Sequence, residues 1–154
     1  MHYFVTGATG FIGKRLVKTL LARRGATVHF LLRPESEGKV AALLAYWGVT
    51  KAKAIPVFGD LTSKKLGVSA DDVKKLKGKI DHVYHLAAVY DLSADEASQV
   101  RVNIEGTRSA VEFAKAIELT WCRCPASIAF ANSTALRVPS MLTLTCDSSS
   151  AERS

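Results

Sequence analysis

Cysteine is missing from the chain before position 122, and the three present, Cys122, Cys124 and Cys146, fall in its last quarter. "CRC" has one intervening residue where zinc-binding pairs have two or more, and no histidine follows Cys124 to complete a ligand set, so no metal site is expected. The N-terminus lacks a basic region, an apolar core and a cleavage site. "MHYFVTGATG" runs straight into a β-rich stretch, which makes the cytosol the expected compartment and disulfides unexpected. Long apolar runs are missing too, each being interrupted by Lys, Arg or Gly, which excludes a membrane-spanning helix. Aromatic residues are sparse at 8%, and none interleave with the lysines around "SADDVKKLKGK". Lys64, Lys65, Lys74, Lys75, Lys77 and Lys79 therefore read as a solvated helix face, and no nucleic-acid partner is expected. The net charge of +7 is spread along the chain and suits a small polyanionic ligand.

What remains is a chain of one domain's length, 154 residues, with 48% hydrophobic residues in an alternating pattern. "HYFVT" (His2 to Thr6) reads as a strand ended by glycine. Ile12, Leu16, Val17, Leu20 and Leu21 recur at helical spacing, which predicts a helix from Gly10 to Arg24 closed by Gly25. "TVHFLL" (Thr27 to Leu32) is a second strand, stopped by Arg33-Pro34, and Glu35 to Tyr46 a second helix with Gly48 beyond it. "AIPVF" (Ala54 to Phe58) is a third strand whose Pro56 points to a sheet edge. "HVYHLAA" (His82 to Ala88) is a fourth strand, and Asp95 to Leu119 a long helix with apolar positions at Val100, Ile104, Val111, Phe113 and Ile117. Near-continuous apolar strands alternating with helices predict an α/β fold with a doubly wound parallel sheet.

"TGATGFIG" places Gly7, Gly10 and Gly13 between the first strand and the first helix. The GxxGxxG spacing is one residue wider at its first gap than the common dinucleotide fingerprint, but its mechanics are the same. Gly7 permits a tight turn, Gly10 lets the backbone approach a pyrophosphate, and Gly13 lets helix and strand pack closely. Free N–H groups at the helix start then face the phosphates, with Thr6, Phe11 and Ile12 as further candidate contacts. Arg33 stands at the end of the second strand, and no carboxylate follows until Glu35. An acidic residue there would hold the ribose 2′-OH of NAD. A guanidinium suits the 2′-phosphate of NADP, so NADP(H) is the expected cofactor and NAD(H) the second choice.

"VTGATGFIG", "GDL", "HLAA" and "VNIEGT", in this order over residues 1–119, resemble the cofactor half of an extended short-chain dehydrogenase/reductase with a Rossmann-type fold. "GDLTSKKLGVS" and "LLRP" are similar to the thioester-reductase and fatty acyl-CoA reductase branch. The resemblance implies roles at matching positions. Asp60 and Leu61 would hold the adenine, with Asp60 accepting from its amine. Leu86, Ala87 and Ala88 would line the adenosine and ribose. Asn103 would tie the central helix to the fourth strand and order an active-site water. Complete relatives would pass hydride to an acyl thioester and release an aldehyde. Tyr90 and Asp91 are expected in a surface loop bordering the substrate.

Such reductases also need a Ser or Thr and a YxxxK pair, because a phenol near pKa 10 is too weak an acid–base until a lysine one helical turn away lowers it. The tyrosines are Tyr3, Tyr46, Tyr84 and Tyr90, and the residues four further on are Gly7, Thr50, Ala88 and Ala94. YxxxK is absent. Ser127 in "ASIAF" (Ala126 to Phe130), a candidate degenerate fifth strand, is the aligned serine, and Ser133-Thr134 arrive several residues late. Residues 120–154 read as an irregular Ser, Thr and Cys-containing tail after the cofactor domain of residues 1–119. The change at 120 is expected to mark a fragment, an early stop or an altered reading frame. It leaves the sheet incomplete, with apolar surface beside the fourth strand. Three functions remain open: the cofactor-binding part of a thioester-reductase-like enzyme, a nucleotide-sugar epimerase or dehydratase relative, and a non-catalytic dinucleotide-binding module. Oligomeric state is not legible.

Overall fold

In the computed structural model, which describes residues 1–88, 96–119 and 142–145, strand β1 (His2–Thr6) lies at the centre of the sheet. Strand β2 (Thr27–Leu32) pairs with it in parallel, His2 opposite Thr27, and β3 (Ala54–Phe58) pairs with β2 in parallel, Val28 opposite Ala54. Strand β4 (His82–His85) flanks β1 on its other side, with Tyr3 opposite His82 and Thr6 opposite His85. The order β3-β2-β1-β4-β5 puts β3 at the edge, where Pro56 leaves no ladder bond unmade. Strand β5 (Leu142–Thr145) runs antiparallel along β4, so the β4 side of the sheet carries a partner drawn from the tail. The candidate fifth strand Ala126 to Phe130, with Ser127, lies outside the described residues, as do Tyr90, Asp91, Ser133, Thr134 and the three cysteines.

Alternation along β1 divides the core. Tyr3 and Val5 face helices α1 (Phe11–Leu21) and α2 (Val40–Trp47), packing with Val17, Leu20, Phe30 and Trp47. Phe4 faces the opposite layer, made by α3 (Ala70–Leu76) and α5 (Gly106–Ala116), where its ring lies 4.5 Å from that of Phe113. Both faces of the parallel sheet are thus covered, as its two-sided apolar strands require. Helix α1 begins at Phe11 rather than Gly10, with Gly10 extended as its N-cap (φ −72°, ψ 169°). Residues Pro34–Lys39 form a 3₁₀ turn before α2, because Pro34 fixes the first turn and the polar "ESEG" after it has no apolar face to bury.

The long helix expected from Asp95 is divided. Helix α4 (Glu96–Gln99) passes through a π turn at Val100–Glu105 into α5. An inserted π residue rotates the earlier turns of a helix relative to the later ones. Val100 and Ile104 are exposed, whereas Phe113 and Ile117 are buried. The lysine-rich segment is a solvated face: Lys74, Lys75 and Lys77 pair at the surface with Asp71, Asp72 and Glu118.

Candidate functional site

The turn between β1 and α1 is built by close backbone approach. Gly7 has φ +72°, and a Cβ on it would stand 2.7 Å from the Ala87 nitrogen. A Cβ on Gly13 would stand 2.0 Å from the Gly7 carbonyl oxygen. Gly10 differs: its Cβ would meet only that same oxygen, at 3.3 Å, and the residue is exposed. Two of the three glycines therefore serve packing, and the third keeps the path to the helix start open. No side chain caps α1 and no acid sits in its first turn, so its first N–H groups are available to an anion.

Two clefts meet at this turn. One, of 380 Å³, lies over the start of α1 and includes Phe11, Ile12, His85, Leu86, Ala88 and Asn103. The other, of 720 Å³, lies beyond the ends of β2 and β3 and includes Arg33, Asp60, Leu61 and Thr62. Gly7 and Ala87 belong to both walls, which makes a single trough across the carboxyl ends of the strands. Every cofactor candidate from the sequence borders this trough except Thr6, which is fully buried beneath it.

Asp60 organises the loop of the larger cleft. Its carboxylate accepts from the Thr62 amide (3.2 Å), the Thr62 hydroxyl (2.8 Å) and the Ser63 hydroxyl (3.4 Å). The Thr62 hydroxyl bond first, then the other bonds and the nearby Arg33 charge, hold the carboxyl below its ordinary pKa despite some opposing desolvation. Three partners leave about one lone-pair direction of an ionised carboxylate unfilled. The backbone folds back so that the Asp60 amide donates to the Leu66 carbonyl at 2.8 Å, with Lys65 and Leu66 both at positive φ. Buried Ser109 on α5 locks that strained loop, accepting from the Leu66 amide at 2.8 Å and donating to the Ser63 carbonyl. Gly106 completes the packing, since a Cβ there would stand 2.9 Å from Leu61 Cγ. The "GDL…LG" and "EGT" strings thus meet in space.

Sequence reasoning passed over His85, Thr107, Lys39, Arg101 and Ser109. Lys39 and Arg101 border the larger cleft with Arg33, and His85 and Thr107 the smaller one. His85 is 6% exposed, and burial lowers its pKa to about 4. It stands in the quoted "HLAA" and Thr107 in "VNIEGT", so the motifs held the signal while the pairing needed the fold. Among the described residues no cluster of three or more His, Cys, Asp or Glu could hold a metal, and no helix is long and apolar enough to cross a membrane.

Residues 5–139 match the model of an NAD-binding family described as male sterility protein. A linear gramicidin synthase of Brevibacillus parabrevis is 34% identical over 120 residues, which are 73% of this chain and 2% of that protein. Fatty acyl-CoA reductase 2 of Mus musculus is 26% identical over 143 residues, 83% of this chain and 28% of that one. Among solved structures, the terminal R domain from the myxalamid PKS-NRPS biosynthetic pathway superposes with a TM-score of 0.62 at 28% identity, covering 73% of this chain and 31% of that domain. The chain spans less than a third of each of these proteins. A nicotinamide dinucleotide is the cofactor class that goes with such a match. The glycine turn, the "GDL…LG" loop and the match across residues 5–139 agree: the chain belongs to the NAD-binding male sterility protein family, within the extended short-chain dehydrogenase/reductases and on their thioester-reductase-like branch.

Proposed function

We propose that this chain is the NADP(H)-binding portion of an acyl-thioester reductase. The observation that carries the reading is the continuity of the two clefts through Gly7 and Ala87. A dinucleotide has two nucleoside halves joined by a pyrophosphate, and the trough offers two chambers joined over a helix start. The pyrophosphate would lie over Gly7 and Gly10, held by the first N–H groups of α1. The adenosine would enter the larger cleft, beside the remaining acceptor of Asp60 and against Leu61. Exposed Arg33 there, with Lys39 and Arg101 on the same walls against the carboxylates of Glu35 and Asp60, leaves a cationic excess that supports a 2′-phosphate over a bare hydroxyl. The nicotinamide half would enter the smaller cleft between Leu86 to Ala88 and Asn103.

When bound, the reduced cofactor supplies a hydride. In the complete enzyme the acyl thioester, NADPH and a proton would give an aldehyde, a free thiol and NADP⁺. The acid–base pair for that step is missing from this sequence: Tyr3 is fully buried in the core, and no tyrosine has a lysine four residues on. The chain by itself is expected to bind without turnover, with Ser127 as the aligned serine of an unfinished site. A calorimetric titration with NADPH and NADH, paired with an assay of NADPH oxidation by an acyl thioester, tests both halves. Binding with NADPH preferred and no oxidation is the expected result. Oxidation at an enzymatic rate would refute the binding-only reading, and absence of binding by a folded chain would refute the whole.

A further inference from the structure

The hydrogen bonds around Thr6 fix the place of one proton. Thr6 Oγ1 accepts from the Ala87 amide at 3.3 Å and from the Leu86 amide at 3.2 Å, the latter shared with the Thr6 backbone carbonyl at 3.3 Å. A hydroxyl has two lone pairs and one proton, so both acceptor sites are filled. The proton must go to the remaining neighbour, His85 Nδ1, at 2.7 Å. Nδ1 is then an acceptor, and a neutral ring carries its hydrogen on Nε2. Nε2 faces the Thr107 hydroxyl at 3.3 Å, and Thr107 in turn donates to the Asn103 carbonyl at 2.6 Å. One directed line results. It runs from the amides of 86 and 87 through Thr6 to His85, and from His85 through Thr107 to the π turn bearing Asn103.

We infer that His85, as its neutral Nε2–H tautomer, is a positioning residue that sets the spacing between the two walls of the smaller cleft. One wall is the Leu86–Ala88 segment, which hangs from Thr6; the other is the π turn at Asn103, reached through Thr107. The line crosses the floor of the cleft, and His85 is its one member able to accept on one side and donate on the other through a rigid ring. Burial, which disfavours the imidazolium, agrees with a neutral ring. A charged ring would present a donor to Thr6, whose own proton would then have no acceptor. The inference rests on the dinucleotide reading for what the cleft holds, and on geometry alone for the tautomer.

Two measurements on the full chain test it. In ¹⁵N-histidine-labelled protein at neutral pH, assigned by loss of one ring signal in His85→Phe, the spectrum should show His85 protonated at Nε2 and bare at Nδ1. A proton on Nδ1, or an imidazolium, would overturn the assignment without any variant having to bind cofactor. Calorimetry with NADPH then compares Thr107→Val, which keeps the shape and removes the hydroxyl, with Thr107→Ser, which restores it. Thr107→Val and His85→Phe should weaken NADPH about tenfold or more, and Thr107→Ser should return to within about threefold of wild type. Equal affinity in all of them, with the fold intact, would refute the positioning role. Wild-type chain that binds neither NADPH nor NADH would refute the dinucleotide reading and with it the purpose given to the line, while the tautomer result would stand separately.

Discussion

Replacing Gly13 by alanine puts a methyl carbon 2.0 Å from the Gly7 carbonyl oxygen, 2.8 Å from its carbon and 2.9 Å from the Ala8 Cα. All three are backbone atoms of the turn, and ordinary contact begins near 3.4 Å, so helix and turn must separate by about 1.4 Å along the worst direction. The turn cannot simply retreat, because Gly7 already lies against the Ala87 backbone. Overpacking of this kind costs about 1–3 kcal/mol, and a backbone obstacle puts it at the upper end. For a chain of this size that is a melting-point loss of about 3–10 °C. The same displacement would move the first N–H groups of α1 away from the pyrophosphate position, and weakened hydrogen bonds to a charged group should lower NADPH affinity by about tenfold or more. Gly10→Ala is the contrast. Its backbone is extended and its new methyl meets one atom at 3.3 Å, so the melting point should shift by less than about 2 °C, while the methyl intrudes on the phosphate path and affinity falls at least about tenfold. The assay is a thermal melt and an NADPH titration on each variant. Gly13→Ala with wild-type melting and affinity would refute the packed turn, and Gly10→Ala that melts early yet binds normally would move Gly10 from the phosphate path to the core.

Arg33→Asp should weaken NADPH by about tenfold or more and leave NADH unchanged or improved; unchanged preference would remove Arg33 from the 2′-phosphate role. Ser109→Ala strands the Leu66 amide and the Ser63 carbonyl in a loop already at positive φ, which should cost about 1–3 kcal/mol in urea unfolding, and a loss below about 0.5 kcal/mol would contradict the lock. Acid should destabilise the fold through its buried histidines. His29 and His85 have pKa values lowered from 6.5 to about 4, in both chiefly by burial, with repulsion from His2 and Lys79 adding at His29. Their unfolded forms gain a proton below about 6.5 that the native state refuses until about 4, so stability is full above 6.5 and declines between those values, by at most about 3 kcal/mol per histidine. Asp60 and Asp72, held low mainly by hydroxyl hydrogen bonds from Thr62 and Ser69, add losses in the same direction at still lower pH. Equal urea midpoints at pH 7 and 4.5 would refute this.

The first three strands were legible to the residue because glycine or proline punctuates each: Gly7 after β1, Arg33-Pro34 after β2, Gly59 after β3. The turn after the first of them was legible because glycine spacing encodes where backbones touch, and the structure adds which atoms Gly7 and Gly13 meet and how open Gly10 stands. The π turn was hidden, since Val100 and Ile104 within it and Val111 beyond it keep a helix-like apolar spacing and nothing local marks an inserted residue. Strand β5 was hidden by its length: "LTLT" is too short a period-two run to stand out within a Ser and Thr-rich tail. The line through Thr6, His85 and Thr107 joins positions 79 and 22 residues apart; strand register sets Thr6 opposite His85, and the packing of α5 on the sheet brings Thr107 to it.

The central claim is that one continuous trough over the glycine turn holds a nicotinamide dinucleotide with its 2′-phosphate toward Arg33. Its most direct test is a pair of calorimetric titrations of the folded chain, one with NADPH and one with NADH. One-to-one binding of both is expected, tighter for NADPH. A chain with the circular dichroism of an intact α/β fold and no heat of binding for either would contradict it.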